Sequence, residues 1–174
     1  MATSQNGWSG ITSASSRLLH DWNIPCSGGV RTVRLRRGSA GFLLCHFAMW
    51  WDDTISPVVD GIYDEWGWNY RFIGGSTILS NHGSATAFDI DATEFPQGRY
   101  NLTDKQRSLI KRRMTFFDGT LAHGAFYRTT VDEMHVEINA PLGPVERKAR
   151  ALMDSKRGKR LLKANPGQRE VILS

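Results

Sequence analysis

Cysteines, long apolar runs and targeting segments are scarce in this chain. Its 174 residues contain two cysteines, Cys26 and Cys45, too few for a disulfide framework, so we expect two reduced, partly buried thiols. No apolar run approaches the ~18 residues of a membrane span. The opening MATSQNGWSG lacks the basic and apolar regions of a signal peptide, which predicts synthesis in a cytoplasm. With no internal repeat or low-complexity block, the length indicates one domain with a real core.

Positive charge is in excess and is concentrated near the C-terminus. The formal net charge is +5. Between residues 147 and 169 the basic side chains are Arg147, Lys148, Arg150, Lys156, Arg157, Lys159, Arg160, Lys163 and Arg169. Such a segment suits a polyanion such as nucleic acid, an anionic membrane surface or an acidic cell wall, or it forms a solvated helix face. The absence of interleaved aromatic residues disfavours single-stranded nucleic acid.

Hydrophobic periodicity predicts a mixture of strands and helices. Strands are expected where side chains alternate, in VRTVRLRRG (30–38), ATAFDID (85–91) and EMHVEINA (133–140). The segment 61–75 mixes aromatic residues with glycine and is expected to be a strand with turns. Helices are expected in three places: after Ser39 as a cap, with His46 as a core histidine; after a Thr103–Gln106 capping box, to about Phe117; and from Pro144 to about Ser155.

The interspersed elements predict an α+β fold with a small, largely antiparallel sheet flanked by helices. We place the main domain at residues 1–155, with its core at about 25–155. Residues 156–174 are expected to form a basic C-terminal tail, a short helical piece followed by a loose end.

The stretch SNHGSATAFDID (80–91) carries the most chemistry. Alternation in its strand places Asp89 and Asp91 on one face and Phe88 on the other, towards the core. His82 lies in the preceding glycine-containing loop, from which it can fold back towards Asp89, and His135 lies on the polar face of a second strand. Two imidazoles and one carboxylate leave a tetrahedral position open, which is typical of a catalytic zinc. A calcium site at the acidic strand end, or no site at all, remains an alternative.

A zinc-bound water needs a base, and two neighbouring acids compete for the role. Asp132 lies three residues before His135, and a bend before the strand would bring its carboxylate over the open side of the metal. Glu133 would share the face of His135 on a straight strand, so spacing alone leaves the choice open. Glu137 shares that face as well and can orient His135 through its second ring nitrogen.

Two motifs resemble those of a known family. SNHGSATAFDID followed by DEMHVEI resembles the M15 peptidase family, the D-Ala-D-Ala carboxypeptidase and L-Ala-D-Glu endopeptidase group. WGWNYRFIGGSTILSNH and KRGKRLLKANPGQ are similar to segments of phage endolysins, the second to actinobacteriophage lysins. The resemblance spans roughly residues 25–168 and implies a Hedgehog/DD-peptidase-like zinc peptidase fold. It implies one zinc held by His82, Asp89 and His135, with Asp132 rather than Glu133 as the catalytic acid/base.

The resemblance also implies roles for residues that periodicity does not single out. Ser80 stands where the family's serine contacts substrate, and Arg71 is expected to bind a substrate carboxylate or the oxyanion. Two positions depart from the family pattern. Ala85 replaces a usual glycine, and His123 stands where a tryptophan-glycine pair is common, so we expect His123 to be exposed or, as the alternative, to contact substrate.

The function implied by the resemblance is that of an endolysin. We expect hydrolysis of a peptide bond in the peptidoglycan stem peptide, preferably the L-alanyl-D-glutamate bond. The alternatives are a D-Ala-specific enzyme of the same family, a noncatalytic wall-binding module and a nucleic-acid-binding module. The expected protein is a monomer that acts on peptidoglycan, binds no specific nucleic acid, and reaches the wall from the host cytoplasm through a holin-type lesion.

Overall fold

A buried helix organises the fold. The structure, a computed structural model, describes residues 2–174. Helix α1 spans Ser39–Thr54, and every side chain from Ser39 to Asp52 is buried. The prediction of Ser39 as the cap was wrong by one position: Gly38 is the cap, at φ 78°, and Ser39 is the first helical residue. Glycine suits this position because positive φ is strained for other residues.

Within residues 2–174 the remaining elements are short. The strands are β1 (Leu19–Cys26), β2 (Gly29–Arg36), β3 (Ala87–Asp89), β4 (Leu121–His123) and β5 (His135–Ile138). The helices are α2 (Asp104–Phe116), α3 (Leu142–Leu152), α4 (Lys156–Ala164) and α5 (Gln168–Leu173). The predicted capping box is present at the start of α2, where the Thr103 and Gln106 side chains each accept from the other's backbone N–H. Helix α3 begins two residues before Pro144, after Pro141 as its cap.

The strands form two small antiparallel sheets, so the predicted α+β class is confirmed. Strands β1 and β2 form a hairpin, and the second sheet has the order β3-β5-β4. The segment 61–75 is not the strand that its aromatic residues suggested. It contributes isolated bridges, Trp66 to Asp89 and Phe72 to Leu79, and runs as irregular chain beside the second sheet.

The C-terminal residues are folded onto the domain, in contrast to the loose end expected. Leu161 in α4 and Ile172 in α5 belong to the main hydrophobic core. Ser155 caps α4 by accepting from the Gly158 N–H at 3.0 Å. Asn165 ties the end of α4 to β1, donating to the Asn23 carbonyl at 2.8 Å. The basic side chains of this segment therefore belong to helices that pack on the core.

Three further predictions can be compared with the structure. Cys26 and Cys45 are buried free thiols in the described chain, as expected. His46 is a core histidine, 2% exposed. No helix among residues 2–174 combines the length and the hydropathy needed to cross a bilayer.

Candidate metal centre

The antiparallel pairing of β3 with β5 brings the candidate ligands together. Asp89 and His135 are direct partners in the register of these two strands. His82 lies in a 3-10 helix, Asn81–Ser84, whose cap Ser80 accepts from the His82 N–H at 3.3 Å. Ala85 follows at φ 57°, a left-handed conformation that turns the chain into β3. Glycine would adopt that conformation without strain, whereas alanine does so at some cost.

His82, Asp89 and His135 form one buried cluster. Each offers a ligand atom, and the three atoms lie within 4.8 Å of one another. His135 Nδ1 lies 2.7 Å from Asp89 Oδ1, and His82 Nε2 lies 3.2 Å from Asp89 Oδ2. Burial alone raises the pKa of Asp89, but the hydrogen bond from His135 and the nearby His82 ring outweigh it and hold that pKa well below its usual range. The carboxylate is therefore ionised and able to bind a cation.

The orientation of His82 leaves one ring nitrogen for a ligand. Its Nδ1–H donates to the Gly67 carbonyl at 2.7 Å, and its Nε2 is turned towards Asp89. Nε2 is buried and makes no hydrogen bond to any part of the described chain, because its contact with Asp89 lacks suitable geometry. An imidazole held by a carbonyl on one nitrogen and unpartnered on the other is arranged as metal-binding histidines are.

His135 is held by a chain of side chains that begins near the N-terminus. Glu137 Oε2 lies 3.1 Å from His135 Nε2, which leaves Nδ1 facing Asp89. Asn81 donates to the same Glu137 oxygen at 2.5 Å and accepts from the Asn6 N–H at 3.0 Å. Burial lowers the pKa of His135, but its hydrogen bonds with Asp89 and Glu137 outweigh this and raise it to about 10. A cation at this position would replace that proton.

Asp132 faces the same cavity from the loop before β5. Gln97 Nε2 donates to its Oδ2 at 2.9 Å, whereas its Oδ1 is buried without a hydrogen-bond partner among residues 2–174. Burial is the main cause that raises the pKa of Asp132. Gly124 allows the bend that places it, because a Cβ at Gly124 would overlap the backbone of Asp132. Asp132 is thus a buried carboxyl group with one oxygen free to exchange a proton.

Glu133 points away from the cluster and serves the fold. Its carboxylate accepts from the backbone N–H groups of Asn101 and Leu102 at 2.6 and 2.8 Å and pairs with Arg107. The straight strand that would have placed it beside His135 does not exist, because β5 begins at His135 itself. Of the two acids, Asp132 lines the cavity and Glu133 does not.

A cavity of about 1050 Å³ opens above the cluster. Its lining includes the ligand cluster, Asp132, Glu137 and both residues expected to bind substrate, Ser80 and Arg71. Ser80 and Arg71 are also joined directly, since the Ser80 N–H donates to the Arg71 carbonyl at 3.0 Å. Sequence reasoning did not find Gln97 or Arg128, which line the same cavity from loops that have no periodic pattern.

Two side chains, those of His123 and Asp91, lie in surroundings different from the ones predicted from sequence. His123 is neither exposed nor on the cavity wall: it is 2% exposed and stacks on Trp51, with ring centroids 5.6 Å apart. Its burial lowers its pKa to about 3. Asp91 does not share the face of Asp89, because the strand ends at Asp89 and Asp91 adopts φ 50°. Its Oδ2 instead accepts from Trp51 Nε1–H at 2.8 Å, on the core side.

The donor set fits a metal ion. Two imidazoles and one carboxylate, each buried and each fixed by the surrounding chain, could hold one cation at the floor of the cavity. Comparison of the chain with protein-family models, with curated proteins and with solved structures gave no significant match.

Proposed function

We propose that the protein is a zinc peptidase that hydrolyses the stem peptide of peptidoglycan, with the L-alanyl-D-glutamate bond as its preferred target. The proposal is supported by one observation above all. A buried cluster of His82, Asp89 and His135 shares its cavity with a buried carboxyl group, Asp132, that has an unpartnered oxygen. The motifs that resemble the M15 peptidase family contain these same four residues.

The ligand chemistry favours zinc as the metal. Nitrogen ligands from two imidazoles with a single carboxylate suit zinc, whereas calcium and magnesium prefer oxygen ligands alone. The Gly67 carbonyl and Glu137 would keep His82 Nε2 and His135 Nδ1 turned towards the ion. A zinc ion bound there would lower the pKa of a water molecule to ~7 and polarise the scissile carbonyl.

Asp132 is proposed to move the proton. Its free Oδ1 takes a proton from the attacking water and passes it to the leaving amine. Gln97 holds the other oxygen and so fixes the carboxyl orientation during both transfers. Burial raises the pKa of Asp132, which makes the carboxylate a better base than an exposed aspartate.

The cavity walls suit an anionic, extended substrate. Arg71 and Arg128 line the cavity beyond the ligand cluster, together with the polar side chains of Asn69 and Ser80. A stem peptide carries free carboxylates, which guanidinium groups bind in bidentate fashion. We propose that Arg71 binds one of these carboxylates and that Ser80 contacts the peptide backbone.

The charge of the whole chain fits a wall substrate. A protein of net charge +5 is attracted to an anionic cell wall, which raises its local concentration there. We propose that it acts as a monomer on peptidoglycan, without a specific nucleic-acid partner. In this proposal it is made in a phage-infected host and reaches the wall after holin-type release.

The direct experiment is turbidity loss of purified peptidoglycan, run beside elemental analysis of each protein sample. The wild-type protein is expected to hold about one zinc per chain and to clear the suspension. His82→Ala, Asp89→Ala and His135→Ala should lose most of the zinc and the activity. Asp118→Asn, a change at an exposed carboxylate, is the matched control. Stoichiometric zinc in all three ligand variants, or a zinc-loaded wild type that leaves the walls intact, would contradict the proposal.

A further inference from the structure

A second group of acidic side chains lies beside the proposed zinc centre. Asp64, Glu65 and Asp91 each offer a carboxylate oxygen, and these atoms lie within 4.8 Å of one another. All three residues are buried, with exposed fractions of 4%, 7% and 3%. The group contains no imidazole, so its chemistry differs from that of the His82 cluster.

The acidic group contains more carboxyl groups than there are cationic side chains beside it. Arg31 Nε lies 2.6 Å from Glu65 Oε2, and both side chains are almost completely buried. The same guanidinium group donates to the Val58 and Ile62 carbonyls at 2.9 and 2.5 Å, which fixes its position. One buried cation therefore faces three buried carboxyl groups. Buried carboxylates without compensating charge are costly, so such a group favours a further cation.

The oxygen atoms of the three side chains differ in how they are satisfied. Asp64 Oδ2 accepts from the backbone N–H and the hydroxyl of Thr93, at 2.8 and 2.5 Å. Asp91 Oδ2 accepts from Trp51. Glu65 Oε1 is different: it is buried in a side chain with 0% exposure and has no hydrogen-bond partner within the chain from residue 2 onwards. A buried, unpartnered carboxylate oxygen indicates a ligand at that position.

One residue of the acidic group also lines the large cavity. Glu65 is one of the residues that line the cavity, next to Trp66 and Gly67. The acidic group is thus buried in the domain but adjoins the space above the zinc ligands.

We propose that Asp64, Glu65 and Asp91 form a second metal site, for a hard divalent cation of the calcium class. Oxygen ligands alone, with several carboxylates, are the ligand set that calcium prefers over zinc. The site is structural, and no reaction step passes through it. It is independent of the identity of the first metal and of the reaction proposed above.

The position of the site gives it a consequence for the first metal centre. Trp66 and Asp89 exchange two backbone hydrogen bonds, at 3.0 and 2.9 Å, and the Ala92 N–H donates to the Asp64 carbonyl at 3.3 Å. The next residue, Gly67, holds His82 through its carbonyl. A cation bound by Asp64, Glu65 and Asp91 would join this irregular segment to the end of β3 and so stabilise the orientation of His82.

Terbium luminescence tests the site in the full-length, zinc-loaded protein. Tb³⁺ substitutes for Ca²⁺ at sites with oxygen ligands. Trp51 donates a hydrogen bond to Asp91, so its indole ring is close enough to sensitise the emission of a Tb³⁺ ion bound there. We expect Trp-sensitised emission that saturates near one Tb³⁺ per chain and is displaced by Ca²⁺. Glu65→Gln and Asp64→Asn should each weaken Tb³⁺ binding at least tenfold, whereas Asp154→Asn, at an exposed carboxylate, should not change it.

Two further measurements keep the result decisive. In His135→Ala, Tb³⁺ emission should persist, which separates this site from the His82 cluster. If both acid variants misfold, the melting temperature of the zinc-loaded wild type with added Ca²⁺ replaces them. It should rise at about 1 mM Ca²⁺, within the range of extracellular calcium modules. Emission that survives in both folded acid variants, emission lost in His135→Ala, or an unchanged melting temperature would overturn the proposal.

Discussion

Asp132 and Glu133 are adjacent in sequence, yet their carboxyl groups belong to different parts of the protein. Asp132 faces the cavity with one free oxygen, and Glu133 is fully buried against the backbone of residues 101 and 102 and Arg107. Their substitutions should therefore have opposite signatures. A change at the first should alter chemistry, and a change at the second should alter stability.

At the residue scale we predict that Asp132→Asn remains folded and zinc-loaded. Its wall-cleaving rate should fall at least ~10²-fold, because an amide cannot accept the proton. Glu133→Gln should keep the chemistry but lower the free energy of unfolding by about 1–3 kcal/mol, since a buried, charged hydrogen-bond acceptor is lost. Initial turbidity rates, zinc content and urea unfolding of both variants check this. A dead Glu133→Gln beside an active Asp132→Asn would mean that the base is misassigned. Loss of zinc from Asp132→Asn would make Asp132 a ligand.

Residues of the candidate site could be predicted from sequence only where they belong to a periodic pattern. Alternation placed Asp89 and His135 each on the polar face of its own strand, and the structure makes them direct partners in the sheet. Gln97 and Gly67 could not be found in this way. They lie in irregular segments, and their positions depend on tertiary contacts that no local period encodes.

At the element scale, the C-terminal helices pack on the core although their sequence is strongly basic. The basic residues of 156–164 suggested an exposed tail, but α4 places Leu161 in the core at 0% exposure. Two leucines among many lysines and arginines give a weak apolar signal, and the helix is stabilised mainly by burying that narrow face. For the irregular segment 61–75 the sequence instead predicted too much order. Its aromatic residues are typical of a strand, yet Tyr63, Trp66 and Phe72 are exposed.

We predict that Leu161→Ala lowers the free energy of unfolding by about 2–5 kcal/mol, because it removes a fully buried side chain and leaves a cavity. Lys159→Ala, an exposed change in the same helix, should stay within about 0.5 kcal/mol of the wild type. Urea unfolding of the two variants provides the comparison. Equal midpoints would mean that α4 does not pack on the domain as described.

At the scale of the whole molecule, two buried histidines should make the fold acid-sensitive. Burial lowers the pKa values of His46 and His123 to about 3, whereas the unfolded chain has the ordinary value of 6.5. The unfolded state therefore binds more protons between those values. The stabilising contribution is present above pH 6.5 and is lost as the pH falls towards about 3.

The variant His46→Gln isolates one of these contributions. Between pH 6.5 and about 3, each buried histidine should cost the wild type at most about 1.4 kcal/mol of unfolding free energy per pH unit. Stability of His46→Gln should fall less steeply by up to that amount. Taking the difference between the two proteins removes the titration of the metal ligands, which both share. Parallel curves for the two proteins would contradict the assigned burial of His46.

The most direct test of the account is mass spectrometry of purified peptidoglycan digested with the zinc-loaded protein. Hydrolysis at the proposed bond converts each stem peptide into two fragments and leaves a new free α-amine on D-glutamate. We predict that this terminus accumulates with the wild-type protein and falls at least ~10²-fold with Asp132→Asn. Intact stem peptides would contradict the central claim, as would products cut in the glycan strand. New termini at D-alanine would keep the zinc peptidase and assign it the other bond.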